Sequence, residues 1–467
     1  MSTATTTATQ TIELKKSDGT QPMRAGYFAR LNAWDWFFAA LVLGGLTYNY
    51  FLFQPYLDQY EIFVLLLLAP SWIALAWFWR PFSYLSVVVA ALSLFAIWLY
   101  QVDGVGQYAR AEEVFLLKFF LASQTAVLHM SLLLLASTVF YWVGLLSRGS
   151  GTGFEEIGAK IAWVAVTMGL VAFCVRWYET YLHNTGLGYI PISNLYEVFI
   201  MFAWMTTLYI LYYEDRYQTR KVGAFAMLVV TASVGFLLWY MVSREAHEIQ
   251  PLIPALQSWW MKLHVPTNFV SYGTWTIAAM LAFAYLLKQS TFTIRWYKLT
   301  PVWLLAGLFF LEPFLFGVYT LAPGEVGYTT VLGISDFWAV YVGVAILAVG
   351  LIIMARDRFA HKLPSLEVLD DIMYKNIAIG LLFFTIATIL GALWAAEAWG
   401  AYWSWDPKET WSLISWLTYA AWLHMRLVNG LRGTVAAYWA IAGFAVTNFT
   451  FWGVNIFLSG LHSYGAL

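Results

Sequence analysis

Apolar stretches about 20 residues long recur along almost the whole chain, and they constrain its fold more than any other feature. A helix needs about 20 mostly apolar residues to cross a bilayer. The segments that meet this requirement are 33–53, 61–79, 81–101, 119–146, 157–182, 194–213, 222–242, 266–288, 301–321, 334–354, 375–397, 409–429 and 434–457. The sequence therefore predicts an all-α polytopic membrane protein with about thirteen transmembrane helices.

The basic residues predict the orientation of these helices. Lys and Arg concentrate in the short cytoplasmic loops of membrane proteins. With the N-terminus inside, most of the 25 basic residues fall on the inner side. The exceptions are Arg110, Lys118, Arg176, Arg244, Lys262 and Lys408. We therefore expect the N-terminus inside, the C-terminus outside, and the tryptophan-rich segment at 399–411 on the outer face.

Composition excludes several classes of function. The net charge of -1 provides no basic surface for nucleic acid, so no nucleic-acid partner is expected. The single cysteine, Cys174, excludes disulfides and CxxC redox chemistry within the chain, so any thiol chemistry must come from a partner. Residues 1–26 are polar and lack the apolar core of a signal peptide, and we expect them to form a solvated tail.

The segment WGAYWSWDPKETW, at 399–411, combines aromatic rings with the signals of a helix start. Asp406, Pro407 and Glu409 have the spacing of an N-cap, an N1 proline and an N3 glutamate, which predicts a capping box. The rings have two interpretations: an ordinary aromatic belt at the membrane surface, or a surface for a flat apolar ligand with a polar edge. The density of tryptophan between 394 and 422 favours the ligand.

Four histidines are candidates for binding that ligand. His264 just precedes the eighth predicted span and His462 follows the thirteenth, so both are expected on the outer side. Two neutral imidazoles there could ligate iron from opposite faces of a porphyrin, although solvated side chains are the alternative. His424 lies about 27 Å along its helix from Asp406. An ionisable residue at that depth indicates function, with a bond to a neighbouring carbonyl as the alternative. His129 is embedded in the fourth span.

These motifs carry a resemblance to a known family. The run LGALWAAEAWGAYWSWDPKETWSLISWLTYAAWLH resembles the tryptophan-rich WWD signature of the CcsA/ResC family, the haem-handling subunit of the system II cytochrome c synthase. The stretches PISNLYEVFIMFAW, LHVPTNFVSYG and FWGVNIFLSGLHSYG resemble other parts of that family. The resemblance implies that His264 and His462 are the outer axial ligands of haem and that His424 receives haem within the bilayer. The expected haem-binding surface comprises Trp399, Tyr402, Trp403, Trp405, Asp406, Pro407, Lys408 and Trp411.

The resemblance also implies a function. Haem b (iron protoporphyrin IX) would be the transported substrate, presented at the outer face for thioether attachment to the CxxCH motif of apocytochrome c. The implied partners are a CcsB/ResB-type membrane subunit, apocytochrome c and a thiol-reducing thioredoxin-like protein, in a bacterial inner membrane or a thylakoid membrane. Two alternatives are a haem exporter without ligation activity and a structural assembly subunit.

Some parts of the chain depart from the family pattern or have an open role. The second transmembrane histidine of the family normally comes from the partner, so His129 is either its substitute or a helix-packing residue. Lys408 either contacts a haem propionate or pairs with Asp406 or Glu409. The predicted organisation is a polar tail at 1–30, extra spans at 31–118, a CcsA-like core at 119–299, an inserted pair of spans at 300–360, and the core with the WWD motif at 361–467.

Overall fold

The computed structural model describes residues 27–149, 152–183, 188–291 and 328–454, together with 458 and 460–462. Its helices are α1 (Ala33–Phe53), α2 (Gln59–Phe78), α3 (Arg80–Leu99), α4 (Arg110–Glu113), α5 (Ser123–Leu146), α6 (Thr152–His183), α7 (Leu195–Tyr217), α8 (Gly223–Arg244), α9 (Trp259–Ser290), α10 (Tyr328–Phe359), α11 (Leu366–Trp399), α12 (Pro407–Val428) and α13 (Gly433–Asn448). Two short antiparallel strands, β1 (Gln101–Val102) and β2 (Val105–Gly106), follow α3. The predicted all-α class is therefore confirmed.

The helix lengths agree with a membrane protein. Within the described residues, ten helices are long and apolar enough to cross a bilayer. The predicted spans at 334–354 and 409–429 are also helical, as α10 and α12, but they do not belong to that group. The predicted polar tail and the predicted span at 301–321 lie outside the described residues. The total of thirteen spans and their orientation therefore stay predictions.

Local sequence fixes where several helices begin. Asn32, Asp58 and Asp406 each accept a bond from the first turn of α1, α2 and α12, and an acidic side chain at N3 completes a capping box each time. Such reciprocal bonds satisfy backbone N–H groups that a helix start leaves without partners. The predicted capping box at Asp406 is therefore present.

The chain divides into two compact units, Met1–Ser86 and Val87–Leu467. In the first unit, the Arg80 guanidinium contacts the buried Asp35 carboxylate at 2.9 Å. The Trp77 indole donates to the Asp35 carbonyl at 3.0 Å. These bonds tie the start of α3 and the end of α2 to the start of α1.

The second unit packs around α9, which is buried along most of its length. Trp275 of α9 is fully buried and stacks on Tyr419 of α12, with ring centroids 3.8 Å apart. A Cβ at Gly380 of α11 would collide with the Trp275 indole, so glycine allows these helices to approach closely. The Trp422 indole donates to the Ala436 carbonyl at 3.0 Å, which links α12 to α13.

Several helix ends converge at one end of the second unit. The last turns of α6 and α11 and the first turns of α7, α9 and α12 meet there, joined by residues 460–462. The helix α9 begins at Trp259, so His264 lies within the helix and the expected position before the span was wrong. Pro266 resembles a first helical residue in the sequence, but here it lies inside α9.

Candidate functional site

A cavity of about 210 Å³ opens among these converging helix ends. It is lined by residues from four helices and by the returning C-terminal segment, including His264, Asn268, Trp394, Trp403, Lys408 and His462. Small-molecule sites usually measure about 300–1,000 Å³. A porphyrin would therefore require this cavity to widen.

Asp406 holds His462 at the cavity. The Nδ1 atom of His462 donates to Asp406 Oδ2 at 2.9 Å, and the Leu461 backbone N–H donates to Asp406 Oδ1 at 2.6 Å. A Cβ at Gly460 would collide with the same carboxylate. Because a carboxylate accepts from Nδ1, the neutral imidazole presents the lone pair of Nε2. One buried carboxylate thus caps α12 and orients a histidine 56 residues further along the chain.

Burial also affects the protonation of this histidine. Desolvation lowers the pKa of His462, and its contribution is larger than that of Asp406, which acts in the opposite direction. The imidazole therefore stays neutral further into the acidic range than an exposed histidine. A neutral ring is the form that can bind a metal.

His264 is held by a different acceptor. Its Nδ1 atom contacts the Ala387 carbonyl oxygen of α11 at 2.7 Å, and a carbonyl can only accept, so Nδ1 carries the proton. The Nε2 atom keeps its lone pair and lies 3.5 Å from Asn268 Nδ2. A Cβ at Gly391 would lie 2.8 Å from Cε1 and 2.9 Å from Nδ1 of the ring. Glycine therefore lets α11 pack directly on this imidazole.

Trp394 lies against both histidines. Its ring centroid is 5.7 Å from that of His264 and 5.7 Å from that of His462. Its indole N–H donates to the Ala255 carbonyl at 2.8 Å, which fixes the ring. Trp399 packs on His462 with centroids 4.6 Å apart, and it lies beside Trp394 at 5.4 Å. Both imidazoles therefore share one aromatic environment, which the structure builds from distant parts of the sequence.

The predicted aromatic surface divides into three groups. Tyr402 and Trp403 line the cavity, and Trp399 contacts His462. Trp405 is 68% exposed and has a φ of 59°, an unusual conformation for a bulky side chain. Trp411 packs on Phe449 with centroids 4.1 Å apart, and so supports the contact between α12 and the end of α13.

The start of α12 contributes Pro407 and Lys408 to this region. Pro407 is the first residue of α12, where its missing N–H has no cost. Lys408 lines the cavity, and its Nζ atom donates to the Phe451 carbonyl at 3.2 Å and lies over the Phe451 ring. The Phe451 carbonyl is not among the partners that the sequence predicted for Lys408, which were a haem propionate, Asp406 and Glu409.

His424 lies far from the cavity, on an exposed face near the other end of α12. The exposed stripe along this helix consists of Ile414, Leu417, Ala421, His424 and Val428. Within the described part of the chain, no hydrogen bond to the His424 ring is found. Among the described residues, the structure therefore shows no carbonyl partner of the kind that the alternative expected.

His129 has the features of a helix-packing residue. Its Nδ1 atom contacts the Thr125 carbonyl at 2.9 Å, and its ring stacks on Phe120 at 5.7 Å. It lies about 9 Å along α5 from Ser123, whose backbone N–H is bonded to Glu179 near the cavity end of α6. His129 and His424 therefore lie toward opposite ends of the helices, and the structure does not bring them together.

Sequence reasoning missed several residues of the site. Trp394 was counted in the tryptophan-rich region but was not assigned to the ligand. Asn268 was missed, although its position four residues after His264 places both on one helix face. The wall formed by Ser193 and Asn194 depends on the tertiary packing of α7, and no local pattern near the histidines indicates it.

Comparison with known proteins identifies the family. A family model described as Cytochrome C assembly protein matches residues 192–462. A cytochrome c biogenesis protein CcsA from Chlorella vulgaris is 33% identical over 340 residues, which cover 72% of this chain and 94% of that protein. The protein of the same name from Synechocystis sp. is 36% identical over 340 residues, which cover 72% and 95%. The CcsA protein of Synechococcus elongatus is 33% identical over 345 residues, which cover 71% and 94%.

The matches cover most of the relatives, and the family model spans the residues that line the cavity, Ile192 to His462. They agree with the apolar helices in placing the chain among integral membrane proteins. The protein belongs to the CcsA family of cytochrome c biogenesis proteins.

Proposed function

We propose that this protein binds haem b as its substrate between His264 and His462 and presents it for thioether attachment to apocytochrome c. One observation carries the proposal: two imidazoles at one cavity each have Nδ1 bonded to an acceptor, at 2.7 Å and 2.9 Å. The Nε2 atom of His462 is thereby left as a lone-pair donor, and that of His264 accepts only a long bond from the Asn268 amide, at 3.5 Å, which a ligand would displace. Metal-binding histidines in proteins usually have their second nitrogen fixed in this way.

The chain contributes position and electrostatics to the reaction. The Asp406 carboxylate increases the basicity of His462 as a ligand. Trp394, Trp399 and Trp403 provide flat apolar surfaces that support a porphyrin face and exclude water. Holding haem still beside a bound CxxCH segment converts an encounter into an oriented reaction, which is a large catalytic gain. In thioether formation, each cysteine S–H adds across a haem vinyl group, so the thiols must arrive reduced.

The exposed His424 supports a second step of the proposal. Haem enters from the inner side, is ligated at His424 within the bilayer, and moves outward to the cavity. Since His424 lies on an open helix face, a CcsB/ResB-type subunit can approach it and supply the second ligand. A thioredoxin-like protein outside the membrane would keep the apocytochrome thiols reduced. The membrane would be a bacterial inner membrane or a thylakoid membrane.

A holocytochrome assay tests the function. The chain is expressed with a CcsB-type subunit and an apocytochrome c, and covalent haem is detected on a denaturing gel. We expect a haem-stained cytochrome band and a Soret band in the purified membrane protein. A Soret band without covalent cytochrome would instead support a haem exporter, and absence of both would support a structural subunit.

A further inference from the structure

The cavity wall at the start of α7 contains a polar side chain whose orientation is fixed. Asn194 lines the cavity and is the N-cap of α7, and its Oδ1 atom accepts the Glu197 backbone N–H at 2.9 Å. Only the amide oxygen can accept this bond, so the amide Nδ2 points away from the helix. Within the described residues, no hydrogen bond from Nδ2 is found. The wall therefore presents an unused donor.

A buried ion pair holds this wall in place. Glu197 is fully buried, and it accepts the Ser193 backbone N–H at 2.8 Å and the Ser193 hydroxyl at 2.7 Å. Arg176 of α6, which is 1% exposed, donates from Nε to Glu197 at 2.7 Å. Its Nη1 atom donates to the His247 carbonyl at 2.8 Å. The guanidinium thus joins α6, the loop at His247 and the residues beside Asn194.

The charges in the cavity lining bear on whether an anionic ligand edge fits beside Asn194. Lys408 lines the cavity, and burial lowers its pKa to about 7, so it carries only part of a positive charge at neutral pH. The Glu409 carboxylate, also in the lining, accepts the Ser404 and Asp406 backbone N–H groups at 2.7 Å and 3.2 Å. Its charge is therefore already stabilised by donors of the chain. A carboxylate at the edge of a flat ligand would accept a charge-assisted hydrogen bond from the Asn194 amide.

We propose that Asn194 donates this hydrogen bond to a porphyrin carboxylate, and that Arg176 and Glu197 form the positioning pair that fixes Asn194. The inference rests on the proposed function, because it takes haem as the ligand. It assigns a specificity determinant to the PISN segment, at 191–194, and a positioning role to a buried arginine on a different helix. The pair acts on the ligand only through the wall residues.

Esterifying the porphyrin carboxylates tests the proposed hydrogen bond from Asn194. The purified protein is titrated with haem and with haem dimethyl ester, in wild type and in Asn194→Ser and Asn194→Asp variants. Ser and Asp preserve the N-cap of α7. Loss of a bond to a charged group predicts roughly tenfold weaker binding of haem by Asn194→Ser, and a larger loss for Asn194→Asp. Binding of the ester should be weakened less than that of haem, since its carbonyl accepts only a neutral hydrogen bond.

A double-mutant cycle tests the positioning role of Arg176 and Glu197. Removing one partner would leave a buried charge unpaired, so the ion pair is replaced as a unit by Arg176→Met with Glu197→Gln. We expect the double variant to weaken haem binding about as much as Asn194→Ser does. Adding Asn194→Ser to the double variant should cause little further loss of affinity. The control replaces the buried pair Lys221 and Glu155 by Met and Gln, remote from the cavity, and should leave binding unchanged.

The outcomes separate the inference from the function it rests on. Equal losses for haem and its ester, or no loss in Asn194→Asp, would overturn the role of Asn194. Additive losses in the cycle would overturn the positioning role of Arg176. Failure of the wild-type protein to bind either porphyrin would instead overturn the proposed function.

Discussion

The cavity end of the molecule and the far end of α12 hold their histidines in opposite ways. At the cavity, His264 and His462 each donate from Nδ1 to a fixed acceptor and pack against Trp394. At the other end, His424 lies on an exposed stripe of α12, without a hydrogen bond among the described residues. The first pair is preorganised by this chain, whereas under the proposed function the single histidine needs a partner subunit to complete its ligand set.

This difference has a physical consequence for haem affinity. A preorganised site loses little conformational entropy when it binds its ligand. An exposed imidazole must be ordered at the moment of binding, and it provides only one bond to iron. We therefore expect the cavity to retain haem and the His424 face to pass it on. Variants at the two sites test that contrast.

Removing a cavity histidine should have the largest effect. His264→Ala or His462→Ala removes an axial ligand, so we expect inserted protein whose haem has altered ligation and iron that oxidises readily. Absorption and electron paramagnetic resonance spectra of the purified variants measure this change. Added imidazole should partly restore the spectrum. His183→Ala, at a histidine outside the cavity lining, is the control, and wild-type spectra in both cavity variants would contradict the assignment.

Removing His424 should reduce the amount of haem bound per protein and leave the spectrum of the bound haem unchanged. If haem passes through the bilayer, His424→Ala reduces the supply of haem to the intact cavity. The haem that still binds there keeps wild-type ligation. Haem per protein is quantified by pyridine haemochrome at matched expression, with His361→Ala as control. Occupancy equal to that of the wild type would contradict the intramembrane step.

Asp406→Asn should weaken haem binding at the cavity without unfolding α12. Asn is as good an N-cap as Asp, but the neutral amide supports His462 less strongly. Loss of such a supporting carboxylate typically costs about 10- to 100-fold in metal affinity, and we expect the haem reduction potential to rise because the ferric form loses stabilisation. Haem titration and potentiometry measure both effects. Asp58→Asn, in the capping box of α2, is the matched control and should change neither.

Gly391→Ala should have the smallest effect of this series. The added Cβ would lie 2.8 Å from the His264 ring, so the imidazole must shift. The variant leaves His264 itself and its Nε2 atom in place as a possible ligand. Because the ring can shift within the cavity, we expect the low end of the cost of overpacking, about 1 kcal/mol, which predicts about a fivefold loss of haem affinity. Gly343→Ala, where the added methyl meets nothing within 4 Å, is the control. Unchanged affinity in Gly391→Ala would show that the close approach does not constrain His264.

Much of the fold follows from local sequence. Apolar length predicts where the helices lie, and the Asp-Pro-Lys-Glu order at 406–409 predicts the start of α12. The same reasoning is less accurate near His264, because apolar length predicts a span at 266–288 whereas α9 begins at Trp259 and contains Pro266. A proline inside a helix removes only one N–H donor, and packing of neighbouring helices can outweigh that loss.

The support of the site is less predictable. Asp406 has the local signature of an N-cap, and nothing in that signature indicates that its carboxylate also holds His462. The same is true of the Ala387 carbonyl, since any residue type provides one and only the packing of α11 on α9 brings it to His264. Residue types can indicate ligands, but tertiary packing decides which acceptors orient them.

The central claim is that iron is bound by the Nε2 atoms of His264 and His462. The most direct measurement is pulsed electron paramagnetic resonance on the ferric protein, with histidine labelled with nitrogen-15 selectively at Nε2. We expect strong hyperfine coupling from two labelled nitrogens, reduced to one in His264→Ala and to one in His462→Ala. Two coupled nitrogens in either variant, or strong coupling through unlabelled Nδ1 in the wild type, would contradict the claim.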